Sequence, residues 1–292
     1  MTSLRFRIVN VFTRDAQRLS GNPLCVFEDG QALDDATMLA LARQLNLSET
    51  TFILPSSRAH ARIRIFTPSF EMPFAGHPTL GSAHVLRALL CSRAEPPAST
   101  QPALPEPLTL ETQAGVIPVS VQVSRFTLTA KEPSPRAFAG DVEGLARALG
   151  LEPFEIAEPR WCNAGVEQLI IPARSEDAVR RAAPQLSAIR RFPSVHGKAS
   201  AYLLFEPGAG NVLARFFFES DNGLLEDPAT GSATANLGAF MLYTGRPLPV
   251  RFAISQGEYA GRPSSLFLNV NAERRIEVSG DVIELAAGTL TL

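Results

Sequence analysis

His77 stands in Gly76-His77-Pro78-Thr79-Leu80-Gly81-Ser82-Ala83, and Asp227 stands 150 positions later in Glu226-Asp227-Pro228-Ala229-Thr230-Gly231-Ser232-Ala233, with Pro, Gly, Ser and Ala in register. Each copy sets an ionisable side chain before a proline suited to the first turn of a helix, where backbone N–H groups lack intrahelical partners and attract anions. Asp227 is expected as the N-cap of a helix over 228–243, and capping alone, at about 1 kcal/mol, accounts for it. His77 is a poorer cap at the same register, so the copies differ where chemistry would differ. A third candidate, Glu49, lies at a helix-to-strand junction in Asn46-Leu47-Ser48-Glu49-Thr50. It is either a solvated turn carboxylate or, between two hydroxyls and beside an apolar strand, a partly desolvated base with raised proton affinity. Ser82 and Ser232 join the set as helix-start serines. Two carboxylates, an imidazole and two helix N-termini are the parts of proton transfer at carbon on a small anionic molecule, with no cofactor required.

Other chemistries fit poorly. His77 and His84 are seven residues apart on one helix, about 10 Å of rise, too far for two ligands of one zinc ion, so no metal is expected. Thr230-Gly231-Ser232 has no following Lys and matches neither nucleotide fingerprint. There is no Gly-x-Ser-x-Gly elbow, and Cys25, Cys91 and Cys162 lie outside both motifs, which disfavours a covalent mechanism.

The elements that position these residues repeat as well. A strand-like run carrying an arginine precedes each motif, 61–67 around Arg64 and 212–218 around Arg215, and those arginines are 151 positions apart. An apolar helix follows each motif, then a Gly-containing turn and a strand, over 113–123 in one half and 256–270 in the other. A unit of about 150 residues indicates paired domains rather than a solenoid. Strands are expected at 4–12 and 50–54 with an amphipathic helix at 34–45 between them. Beyond Pro135 come a helix at 141–149, strands at 167–171 and 199–205, and the 228–243 helix closed by Gly245. Pro-rich stretches at 95–107 and 132–135 read as a surface loop and an interlobe linker. The C-terminal run reads as two strands, 278–285 and 290–292, joined by a tight turn. The expected lobes are therefore 1–135 and 136–292, with the last strand available to pack back on the N-terminal lobe.

Bulk properties set the class. The chain has 292 residues, 45% hydrophobic and 19% charged, with net charge −2, ample for two cores and without the electrostatic footprint of a nucleic-acid binder. No signal peptide and no membrane-length apolar run is evident, and three scattered cysteines suggest no disulfide framework, which together point to a cytoplasmic protein.

Asn46-Leu47-Ser48-Glu49-Thr50-Thr51-Phe52, Phe66-Thr67-Pro68, Pro73 to Gly81, Glu226 to Ala233, Gln256-Gly257 and Gly261-Arg262-Pro263-Ser264 resemble the phenazine-biosynthesis PhzF-like family. The resemblance runs over nearly the whole chain. It implies a diaminopimelate-epimerase-like α+β fold of two homologous lobes, each a curved, mostly antiparallel, barrel-like sheet wrapped around a central helix, with the site in the cleft between them, and commonly a homodimer. It implies an isomerase in which Glu49 is the acid/base, His77 and Asp227 contribute to the same site, and Ser48, Gly76, Gly231 and Ser232 line the pocket. The related epimerases carry a cysteine at each helix mouth, and here His77 and Asp227 stand near those places, which implies a one-base shuttle through Glu49. Two other readings use the same residues: a binding protein without turnover, and a lyase or dehydratase that expels a leaving group after the same proton abstraction.

Overall fold

The computed structural model describes residues 2–93, 106–220 and 223–292, which divide into two compact units: 1–128 with 280–292, and 129–279. The first unit contains β1 (Ser3–Val11), β2 (Asn22–Phe27), α1 (Asp35–Leu45), β3 (Glu49–Leu54), β4 (Ala61–Phe66), β5 (Glu71–Met72), α2 (Gly76–Arg93), β6 (Leu108–Thr112), β7 (Gly115–Gln122) and β8 (Arg125–Thr129). The second contains β9 (Arg136–Ala137), α3 (Val142–Ala148), β10 (Arg160–Asn163), β11 (Glu167–Pro172), α4 (Glu176–Arg181), α5 (Leu186–Ile189), β12 (Ser200–Gly208), β13 (Asn211–Ser220), β14 (Gly223–Asp227), α6 (Gly231–Tyr243), β15 (Val250–Gln256) and β16 (Ser264–Val270). The last strand, β17 (Ile276–Thr291), belongs to the second unit up to Ser279 and to the first from Gly280 onward.

Both units use one pairing scheme. In the first, β1–β2 is antiparallel, β2–β3 parallel, β3–β4 and β4–β5 antiparallel, β4–β6 parallel and β6–β7 antiparallel. The second repeats that order from β10–β11 through β15–β16. Each sheet packs around one helix, α2 against β1, β2, β3, β4 and β6, and α6 against β10, β11 and β16. These helices are rich in small residues and bury nearly every side, Ala233 through Ala239 without a break in α6. A helix enclosed on all sides has no use for a polar face, and small residues let strands approach its backbone.

Strand alternation and helix period account for the rest of the packing. Met38, Leu41 and Ala42 of α1 meet Cys25, Phe27, Phe52 and Phe66 in a core where the Phe27 and Phe52 rings stack at 4.9 Å. α1 begins with the Asp34 carboxylate accepting from the Thr37 N–H and ends at Asn46 in the left-handed region, so the chain turns sharply into β3. In the second unit α3, α4 and α5 cover Leu169, Ile171, Ala201 and Leu203 of the central strands.

Several sequence expectations need correction. The C-terminal run is one strand of 16 residues, not a hairpin. Its glycines are strand residues facing rings: a Cβ at Gly280 would collide with Phe12 and one at Gly288 would lie 2.9 Å from Phe6, so they are packing positions rather than turn signals. The second motif helix begins at Gly231, not at residue 228. Strands β6 and β15 were not expected. The Pro-rich loop at 95–107 lies, apart from its last two residues, outside the described residues.

Candidate active site

In the first unit Glu49 and His77 come together. Parallel pairing of β2 with β3 sets Glu49 opposite Leu24, and His77 is the second residue of α2. The helix lies close to these strands because residue 81 is glycine: a Cβ there would stand 2.6 Å from Leu24 and 3.1 Å from Val9 and Val11. A 2.9 Å hydrogen bond between the buried Thr51 and Ser82 hydroxyls fixes α2 against β3 one turn further on. The His77 Nδ1 is 3.5 Å from Glu49 Oε2, with side chains 7% and 16% exposed. Burial pushes the imidazole down to about 3, against the opposing effect of a hydrogen bond that the ring donates to the Pro23 carbonyl, so His77 is neutral at physiological pH. Its Nε2 has no hydrogen-bond partner among the described residues, and a buried polar atom left so costs about 1–3 kcal/mol. Such an atom is a common mark of a functional position. Ser48 is exposed in the turn before β3, and Gly76 opens α2.

In the second unit Asp227 closes β14, opposite Phe216 of β13. It is not the N-cap of α6. The residue before a proline is held extended, so Asp227 stays in the strand, and Thr230 takes the cap position. The Thr230 hydroxyl donates to Asp227 Oδ2 at 2.5 Å instead of capping the helix. Gly231 opens α6, and the Ser232 hydroxyl accepts from Gln168 Nε2 at 2.9 Å. Gln168 in turn accepts from Asn236, which also receives the Ala164 N–H. Ser82, by contrast, is the seventh residue of α2 and not a helix-start serine.

A duplicated brace explains why the copies diverge. Arg64 makes a two-pronged ion pair with Glu71, and Arg215 does the same with Glu226, each guanidinium lying over the phenylalanine two residues on. The hairpins share one register: Phe66 faces Glu71 and Phe217 faces Glu226. By that register the counterpart of Asp227 is Met72, not His77. The first unit carries five more residues between Glu71 and Gly81 than the second does between Glu226 and Gly231. Those residues start α2 early and carry His77 into the helix, so the equal register suggested by the sequence motifs does not hold in the fold. Sequence reasoning also passed over Glu71 and Glu226 as partners of the repeated arginines, although the arginines themselves were legible.

The buried neutral imidazole against a carboxylate and the matched pair of units can now be set beside known proteins. The phenazine biosynthesis-like protein model matches residues 9–288. The chain belongs to the PhzF family. An uncharacterised isomerase of Pasteurella multocida is 36% identical over 99% of this chain and 95% of its own. The trans-2,3-dihydro-3-hydroxyanthranilate isomerase of Pseudomonas fluorescens is 34% identical over 94% of this chain and 95% of its own. The solved PhzF-family protein of Bacillus anthracis superposes over the full length of both chains with a TM-score of 0.83 at 24% identity, which shows the same fold. This PhzF-family chain is an isomerase, with the diaminopimelate-epimerase-like α+β fold. Among its described residues no group of three His, Cys, Asp or Glu side chains is placed to hold a metal ion, and no helix is long and apolar enough to cross a membrane.

Proposed function

We propose that this PhzF-family isomerase moves a proton between carbons of a small carboxylated metabolite, with Glu49 as the single base and without a cofactor. The observation that carries the reading is Glu49 beside a buried, neutral His77. An uncharged imidazole does not neutralise the neighbouring carboxylate as an imidazolium would, so Glu49 keeps its capacity to accept a proton. The carboxylate takes a C–H proton, the electron pair spreads into the conjugated system of the substrate, and the carboxyl returns the proton at another carbon. The enzyme ends unchanged and the product has the mass of the substrate.

His77 offers its Nε2, unpartnered among the described residues, to orient the substrate or relay the proton, and Asp227 is assigned an orienting or proton-relay role as well. Ser48, Gly76, Gly231 and Ser232 are assigned to substrate binding, with the first-turn N–H groups of α2 and α6 suited to a carboxylate or a developing oxyanion. The first compound to test is trans-2,3-dihydro-3-hydroxyanthranilate, the substrate named for the Pseudomonas fluorescens relative. In D2O the wild type is expected to give an isomeric product that has lost no atoms and carries solvent deuterium at the receiving carbon, to the extent that the protonated Glu49 exchanges with solvent before returning its proton. Glu49→Gln keeps the shape, removes the acceptor and should slow turnover by roughly 10²–10⁴-fold. Deuterium uptake by Glu49→Gln at the wild-type rate would remove Glu49 as the base, and loss of water in the product would replace isomerisation with elimination.

A further inference from the structure

We propose that Gln256 is a positioning residue for Asp227 and acts through the Thr230 hydroxyl. Gln256 ends β15, is 1% exposed and uses both ends of its amide. Nε2 donates to the Asp227 carbonyl at 2.8 Å and to Thr230 Oγ1 at 2.9 Å, while Oε1 accepts from the Thr230 N–H at 3.4 Å. Two of these partners are backbone groups with fixed roles. A carbonyl can only accept and an N–H can only donate, so the amide has one permitted orientation. The NH₂ group therefore faces Thr230 Oγ1 and occupies it as an acceptor, which turns the one hydroxyl proton toward Asp227 Oδ2. The direction of donation is thus set in β15 and delivered to the carboxylate in β14, and it favours the ionised form of Asp227.

The backbone confirms how tightly the end of β15 lies under the 227–230 segment. Gly257 has φ +83°, and a Cβ at that position would collide with the carbonyl oxygens of Pro228 and Arg262. Thr230 is free for this task because, unlike a conventional N-cap, its side chain bonds no helix N–H. The inference rests on the reading of Asp227 as a site residue, but its first test needs no substrate.

The experiment follows the Asp227 carboxyl carbon by ¹³C NMR across pH in protein labelled at aspartate, with Asp227→Asn used to assign the signal. Thr230→Val removes the hydroxyl at nearly constant volume, and Gln256→Glu replaces the donor with an acceptor. Both are expected to raise the Asp227 midpoint by about one pH unit or more, whereas Thr230→Ser leaves it in place. If Gln256→Glu does not fold, Thr230→Val still decides, since it leaves the two Gln256 backbone contacts intact. Equal midpoints in wild type, Thr230→Val and Thr230→Ser would overturn the proposal. The pH profile of turnover separates this from the reading of function. A raised NMR midpoint with the acid limb of turnover shifted by the same amount supports both, and a raised midpoint with an unmoved acid limb keeps the positioning role while removing Asp227 from the chemistry.

Discussion

Acidification should destabilise this protein through His77 by an amount that can be worked from its burial. The imidazole ordinarily titrates near 6.5 and in the fold is pushed down to about 3 by desolvation. Between those values the unfolded chain binds a proton at residue 77 and the folded chain does not, so stability falls as pH is lowered through 6.5 and levels off only near 3. For one such group the loss is about 1.4 kcal/mol at about pH 5.5 and about 2.7 kcal/mol at about pH 4.5. Replacing His77 with Gln removes the titrating group while every other carboxylate and histidine still contributes its own pH dependence. Urea unfolding of wild type and His77→Gln at pH 7.5, 5.5 and 4.5 isolates the residue as a difference between two curves. The wild-type advantage, whatever its size at pH 7.5, should shrink by the amounts given. A constant difference would refute the reasoning, because it would mean that the folded state takes up the proton and holds it as an ion pair with Glu49 at 3.5 Å.

Other expectations follow from packing and exposure. Gly81→Ala should cost about 1–3 kcal/mol in chemical denaturation, since its methyl meets Leu24, Val9 and Val11 in an enclosed helix-to-strand contact. Arg215→Met should cost about 3–5 kcal/mol, because Glu226 is left unpaired and the Val179, Arg180 and Ala182 carbonyls lose their donor. Arg147→Met, at an exposed pair with Glu143, should stay within about 0.5 kcal/mol of wild type. Native labelling with iodoacetamide should modify Cys91 and spare Cys25 and Cys162, whose thiols are buried and pushed up to about 12; mass spectrometry of the labelled peptides reads the outcome.

Legibility in the sequence followed how local each determinant was. α1 was legible at both ends because Asp34, the apolar spacing and Asn46 all act within a few residues. The duplication was legible because strand, motif and helix recur in order. The start of α6 was misread because Asp-Pro suits a helix cap as well as a strand end, and pairing with β13 decides between them. β5 is a two-residue strand and β6 directly follows a Pro-rich run, so neither has a periodic signal of its own. Glu49 and His77 were each legible as candidates, but their contact depends on parallel pairing across 25 positions and on the missing Cβ at Gly81. Gln256 and Gly257 appeared in the sequence as part of a resemblance, and their physical role emerges only when β15 is seen to end under Pro228.

The long final strand also bears on the order in which the protein is made. Residues 282–291 pair with 3–11, and the backbone of Thr2 exchanges hydrogen bonds with Leu292. The first unit therefore joins strands that are translated more than 270 positions apart. Its strand β1 waits beside β2 with one edge unpaired while about 250 further residues are synthesised, and the second unit has its whole sequence available before that edge is covered. Until then β1 is an open template for strands of other nascent chains, so slow synthesis of residues 282–291 would be felt first as aggregation through the first unit.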